Sequence, residues 1–446
     1  MNRKMLFLLI VLVLAPAFLF ANGSKEASGA AAGSAHLRFM WWGDPIRDKA
    51  TVAMVDAFEK THPNITISTE PNPYTGYHDK IIIQLTSGSA PDVICFSTQW
   101  TSEVAYGAKP LLYDLNDLKD VVNLSTFQKS LLDGGVVNGH LLGLPTGISG
   151  WAFFYNTKVL NEFAAKSGAG LPPGPGKDWT IDQFIAYAQK FHQTMGNDYT
   201  FLAMSSDQVT YPFLSFLSEY AGKFYITPDA KINFTKADLV KTLELFKRFT
   251  DAGVYGSPAS QLAAMTASDS NAAVASGHTP VIFDWTSTIA QNEGVAGSPM
   301  AIMAYPEVGA KTHDGIFIRP AQFWSIAAST KYPKQAGEFL NYMVNDPTAI
   351  QDLGLVRSVP PTEAGQKVLA DLGQLKGSIY TGTLYMMKEA SAAYNPFILL
   401  PEIQEALRTE YSHYISGDKS ADQAATDMIA KFQQVLAQKR QQYKIN

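Results

Sequence analysis

Seven tryptophans and twenty tyrosines stand in a chain of 446 residues, and several sit beside side chains able to pair with hydroxyl groups. The sequence holds Trp41-Trp42-Gly43-Asp44, Ser97-Thr98-Gln99-Trp100, Asp284-Trp285 and Gln322-Phe323-Trp324, with Arg357 further on. An indole or phenol ring offers a flat apolar face, while Asp, Gln and Arg satisfy polar groups that lose water on burial. That pairing of residue types suits a pyranose, which has one C–H face and a rim of hydroxyls.

The first three clusters follow apolar runs that read as strands, so they belong at strand exits. Leu37 to Trp41 alternates with period two, and a helix follows with Ala50, Met54, Ala57 and Phe58 on one face, stopped near His62-Pro63. Ile65-Thr66-Ile67 is the next strand. Tyr77, Ile81 and Leu85 line a second helix, and Gly88 to Pro91 breaks it before Val93-Ile94-Cys95-Phe96. Strand, helix, strand, helix, strand predicts an α/β domain with a mostly parallel sheet. In such a domain ligands lie beyond the carboxyl ends of the strands.

Adjacent strand residues face opposite ways, so at most one of Trp41 and Trp42 enters the core. Trp42 and Asp44 are the expected cleft residues, with both indoles under helices as the alternative. Gln99 is a second candidate, set against a helix cap from Ser97 or Thr98. Asp284 and Trp285 follow Val281-Ile282-Phe283, against a buried Trp with Asp284 capping the next segment. Gln322, Trp324 and Arg357 complete the set. Arg357 is a planar five-donor group that bridges hydroxyls, clamps a carboxylate or forms an ion pair across a hinge. The spacing of Tyr77 and Trp151 also fits core packing.

The middle of the chain is again α/β. Thr180 and Gln183 form a capping box for a helix with Phe184, Ala188 and Phe191 inward, and Leu239, Leu243, Phe246 and Thr250 mark another that ends at Gly253. Near the end, Pro333 and Asp346-Pro347 open two more helices. The segment from Glu402 to Lys444 reads as helix with a turn at Ser416-Gly417-Asp418.

Arg3 and Lys4, followed by the apolar Met5 to Leu14, read as an export signal over residues 1–21, and residues 22–35 as a flexible leader. Apolar residues make up 46% of the chain, enough for two cores, and the formal charge of -5 with no basic cluster argues against nucleic acid. The single cysteine, Cys95, reads as a buried thiol. No G-x-S-x-G or H-E-x-x-H motif is present, and the histidines lack metal-ligand spacing, so neither an enzyme nor a cofactor or metal is expected. Gly174-Pro175-Gly176-Lys177 lacks the leading glycine and the Ser or Thr of a phosphate loop.

Several segments, in order, carry a family resemblance: Phe58-Glu59-Lys60-Thr61-His62-Pro63, Ser87-Gly88-Ser89-Ala90-Pro91-Asp92-Val93, Phe154-Tyr155-Asn156, Asp178 to Phe184, Ser329 to Ala336 and Leu353 to Pro360. With the opening strand ending Trp41-Trp42-Gly43, they resemble the extracellular solute-binding proteins of carbohydrate ABC importers, the group of the maltodextrin-binding proteins. The resemblance implies a two-lobed periplasmic-binding-protein fold with the ligand cleft between the lobes. The first lobe is expected over 36–155 plus 301–345 and the second over 156–300 plus 346–446, with crossings near Tyr155, residue 300 and Asn345. It further implies a sugar or oligosaccharide ligand and the permease subunits of an importer as partners, while Arg319 and Arg357 by their own chemistry leave an acidic sugar such as a uronate open. Asn22 stands where many such proteins carry a lipidated cysteine, so the expected product is unlipidated and periplasmic.

Overall fold

The computed structural model describes residues 34–106, 109–203, 206–264, 274–309, 315–389, 392–393, 395 and 397–445. The expected export signal and nearly all of the leader lie outside the described residues. Ala35, the last leader residue by sequence, is already the first residue of a sheet, paired with Ile65.

The first sheet grows from the alternation legible at the start of the chain. Strand β1 (Ala35–Trp42) leads to helix α1 (Pro45–Thr61), β2 (Ile65–Asn72), helix α2 (Tyr77–Ser87) and β3 (Val93–Phe96). Asp44 caps α1 by accepting from the amides of Ile46 and Arg47 at 2.9 and 3.1 Å. The inward face of α1, with Met54, Val55 and Phe58, packs on the sheet. Strand β1 runs parallel to both β2 and β3. A short hairpin of β4 (Val136–Val137) and β5 (His140–Leu141) follows. Next comes β6 (Leu144–Pro145), which joins this sheet at its far edge.

The second sheet is built on β7 (Ile148–Asn156), nine residues that are all buried. Around it lie β8 (Val281–Trp285), β9 (Met300–Ile302), β10 (Phe317–Pro320) and β12 (Ala392–Ala393). The intervening β11 (Phe323–Ile326) returns to the first sheet, antiparallel to β3 and β6. Thus the first sheet is β2-β1-β3-β11-β6 and the second β12-β10-β7-β8, with β9 also on β7. The expectation of a mostly parallel sheet suits β2-β1-β3. Among the described strands of the second lobe, β10 and β12 are the parallel pair, while the partners of β7 arrive from distant segments running the opposite way. Among the described residues no helix is long and apolar enough to cross a membrane.

Each sheet has its own core. Phe39, Phe58, Trp324 and Phe339 lie in the first; Phe153, Phe184, Phe246 and Phe283 lie in the second. The capping box of Thr180 and Gln183 is present, as is the left-handed Gly253 after the helix Lys236–Asp251.

The crossings between sheets differ from the expected positions. They run through Thr146-Gly147, through Ala321-Gln322 and through residues 354–358, rather than near Tyr155, residue 300 and Asn345. The helix Pro347–Leu353, expected in the second lobe, packs in the first core through Ala349 and Leu353. The reason is physical: an apolar run such as Phe153-Phe154-Tyr155 suits the centre of either sheet, so its composition carries no lobe label. The three crossings lie side by side. Thr146 N–H donates to the Gln322 carbonyl at 2.9 Å, Ala321 N–H to the Gly147 carbonyl at 2.8 Å and Ile148 N–H to the Val359 carbonyl at 2.9 Å. Ser358 holds a left-handed backbone with φ of 83° at this hinge, and its hydroxyl donates to the Ile148 carbonyl.

Candidate functional site

The carboxyl ends of β1 and β3, with the first residues after the second crossing, form one polar edge of the first sheet. Arg357 is driven into it and is 2% exposed. One Nη donates to the Trp42 carbonyl at 3.1 Å and to Gln322 Oε1 at 2.9 Å, while the other lies 3.5 Å from the Thr51 hydroxyl. Gln322 Oε1 also accepts from the Cys95 thiol at 3.3 Å. Burial pushes that thiol up to about 11, so it stays protonated and unreactive. The hinge ion pair considered for Arg357 does not form with any described residue; its bonds go to neutral acceptors.

Beside it stands Arg47, in the first turn of α1. Its Nε donates to the Val356 carbonyl at 3.0 Å, and an Nη crosses to the second lobe to reach the Ser287 carbonyl at 3.1 Å. Asp44 lies 3.7 Å from Arg47 Nε, so its carboxylate both caps the helix and faces a guanidinium. Burial and then the nearby Arg357 charge pull the Arg47 guanidinium down to about 10.

Trp42 is the hub of a ring cluster on this edge. Tyr77, Trp100 and Tyr74 surround it with centroids at 5.0, 5.4 and 5.8 Å. Tyr74 is 58% exposed and lies nearly parallel to Trp100 at 6.3 Å. Tyr77 is inward, its hydroxyl donating to the Cys95 carbonyl at 2.8 Å. The structure therefore puts Tyr77 in the core rather than on the cleft. Trp324 is a core ring too, edge-on to Phe39 at 5.4 Å. Its neighbour Phe323 alternates with it along β11, and both faces of that strand are covered. Gln99 is half-buried in the short turn after β3, where its amide donates to Ser97 Oγ at 3.3 Å, the capping alternative.

The second lobe contributes a separate ring cluster. Trp151 and Trp285 are cross-strand partners on β7 and β8, with centroids 5.2 Å apart. Trp151 is fully enclosed and stacks on Tyr211 at 4.9 Å, so it too belongs to a core. Trp285 lies nearer the seam. The Arg319 guanidinium sits 3.7 Å above its ring and also donates to the Thr98 hydroxyl of the first lobe. Asp284 points away from this contact: it accepts from its neighbour's amide at 2.7 Å and from Asn292 at 3.2 Å. Burial raises its carboxyl above the usual range despite these donors and the Thr288 hydroxyl. A further contact between the lobes is the stack of Tyr106 on Tyr443, 4.2 Å apart and 15° from parallel.

Of the residues named from sequence, Trp42, Gln322 and Arg357 thus meet at one edge, with Asp44 beside them through Arg47. Trp285 is linked to the first lobe through Arg319, which covers its ring and bonds to Thr98. Tyr74, Arg47 and Tyr211 were not selected, whereas Trp100 stood in one of the sequence clusters and Arg319 was noted beside Arg357 for an acidic sugar. Applying the strand-exit rule to β2 would have found Tyr74; Arg47 carried no local signal beyond its place after β1.

A family model for bacterial extracellular solute-binding proteins matches residues 53–370. A candidate binding protein of Brucella abortus is 26% identical over 200 residues, 44% of this chain and 46% of that protein, so the match spans about half the relative's length. A periplasmic solute-binding protein from Pectobacterium atrosepticum superposes with a TM-score of 0.81 at 22% identity, covering 91% of this chain and 99% of the other. A periplasmic oligogalacturonide-binding protein from Yersinia enterocolitica, solved with saturated digalacturonic acid, gives 0.79 at 23% identity with the same coverage. At these identities the two structures show a shared two-lobed α/β fold.

Proposed function

The chain belongs to the bacterial extracellular solute-binding protein family, and on that premise we propose that it captures a sugar or oligosaccharide between its lobes and hands it to the permease subunits of an ABC importer. The observation that carries this reading is the seam itself. Arg319 stacks on Trp285 of the second lobe and bonds to Thr98 of the first, two positions before Trp100 in the ring cluster of Trp42 and Tyr74.

Such a seam works as a clamp. When the lobes part, the Arg319–Thr98 and Arg47–Ser287 contacts break, exposing ring faces and donors to water. A pyranose entering there lays its C–H face on an aromatic ring and gives its hydroxyls to Gln99, Gln322 and the guanidiniums. Because it touches both lobes only when they are shut, its binding free energy favours the shut state by the difference in affinity. Residues 1–21 act as the export signal in this reading, and the protein works outside the cytoplasm.

Thermal unfolding of the full chain against a saccharide panel tests the proposal. A ligand present at 100 times its Kd adds about 2.7 kcal/mol of stability, which a melting scan detects readily. A panel of mono- and oligosaccharides that leaves the melting temperature unmoved overturns the reading. Chromatography of the same mixtures separates binding from catalysis, since cleavage of an oligosaccharide would show an enzyme.

A further inference from the structure

The carboxyl edge of the first sheet concentrates positive charge. Arg47 and Arg357 stand together there, and among the described residues a single carboxylate, Asp44, lies within ion-pair distance of either. Asp48, on the same helix, is engaged by the Trp41 indole N–H at 2.8 Å. Arg357 keeps one donor in reserve: its Nε is buried without a hydrogen-bond partner. A buried guanidinium lacking an anionic partner is costly, and an unfilled donor adds to that cost. Arg319 brings a third guanidinium to the seam from the other lobe.

Resting on the reading of this seam as the ligand cleft, we propose that the ligand is a uronate-bearing saccharide whose carboxylate sits against Arg47 and Arg357 at the ends of β1 and β3. The chemistry favours a carboxylate, because a planar guanidinium gives it two parallel N–H bonds, a match that a hydroxyl rim does not offer. Opening of the lobes releases the Arg47 Nη from the Ser287 carbonyl, which makes that donor available to the incoming anion. Burial first, and the neighbouring Arg357 charge second, lower the Arg47 pKa, and the second of these is relieved once an anion sits between the two cations.

Calorimetric titration of the full chain with galacturonate, digalacturonate, galactose, a neutral disaccharide and a sugar phosphate tests this. The uronates are expected to bind roughly tenfold or more tightly than their neutral counterparts. That preference shrinks as sodium chloride rises from about 50 to 500 mM. Arg47→Gln is expected to erase most of the preference, weakening uronate binding about fivefold or more beyond any loss of neutral-sugar binding; its circular dichroism spectrum reports that it folds. Arg357→Gln repeats the test, and if it fails to fold, Arg47→Gln decides alone. Equal affinity for acidic and neutral sugars, tighter binding of the sugar phosphate, or an Arg47→Gln variant that weakens both kinds equally overturns the inference. Neutral sugars bound without uronates sink it and leave the sugar-binding reading standing, whereas no saccharide bound at all removes both.

Discussion

The two aromatic clusters at the seam are built from similar residues and end up in different states. In the second lobe, Trp151, Tyr211, Phe317 and Trp285 close on one another, and Arg319 covers the remaining face of Trp285. In the first lobe, Trp42, Tyr77 and Trp100 form a similar nest, yet Tyr74 projects from it into solvent. The second cluster directs its packing energy into the fold. The first leaves one ring, Tyr74, largely exposed. Proximity to the seam therefore does not leave a ring accessible: Tyr74 is exposed, while Trp42, Trp100 and Trp285 are buried.

Trp151→Ala should break the second cluster. Removing a fully enclosed indole costs about 3–5 kcal/mol of unfolding free energy, measurable by urea denaturation of the unliganded chain. A loss below about 1 kcal/mol would erase the distinction between the clusters. The hinge that sets one cluster against the other is the next target. A Cβ at Gly147 runs into the carbonyls of Arg357 and Val359, both backbone atoms of the neighbouring crossing. Gly147→Ala should cost about 1–3 kcal/mol by the same measurement.

Tyr74→Ala sharpens the comparison from the other side. Unfolding free energy should stay within about 0.5 kcal/mol of the parent, while affinity for a bound saccharide falls by about 0.5–1.5 kcal/mol. Titration and denaturation of the same variant read both numbers, and a purely structural ring would reverse their order.

The smallest expected effect concerns His78, whose ring packs 5.0 Å from Trp100 and bonds to both oxygens of Glu103 at 3.1 Å. The Glu103 hydrogen bond, opposed by partial burial and helped by Asp79, raises its pKa above the ordinary value of 6.5. A raised folded pKa means the charged pair stabilises the fold fully below about pH 6.5, and the benefit fades as pH climbs through the folded value. The melting temperature of His78→Gln should accordingly fall short of the parent more at about pH 5.5 than at pH 8.5. A gap that widens with pH would contradict the ion pair.

Much of the frame was legible in the residues themselves. The strand-helix alternation from Leu37 to Phe96, the capping box at Thr180 and Gln183, and the stop at Gly253 depend on neighbours only a few positions away. Asp44 illustrates a local rule at work: an aspartate before Pro45 caps the helix, and its pairing with Arg47 follows from the same turn. The placing of ring-bearing residues at strand exits was equally local.

Which of those rings stays uncovered was settled elsewhere in the chain. Trp324 and Trp42 both sit at sheet positions that sequence alone treats alike. One is sealed by Phe39 and Phe339 of its own lobe, and the other by a ring carried on the loop after β2. Arg357 meets the Trp42 carbonyl 315 positions away, and Arg319 meets Thr98 across 221. Backbone preferences act over a turn of helix or a few strand residues, so a sequence window contains them. Burial and partnership depend on where the chain returns in space, and for this protein that is decided at three hydrogen-bonded crossings whose apolar flanks look the same on either side.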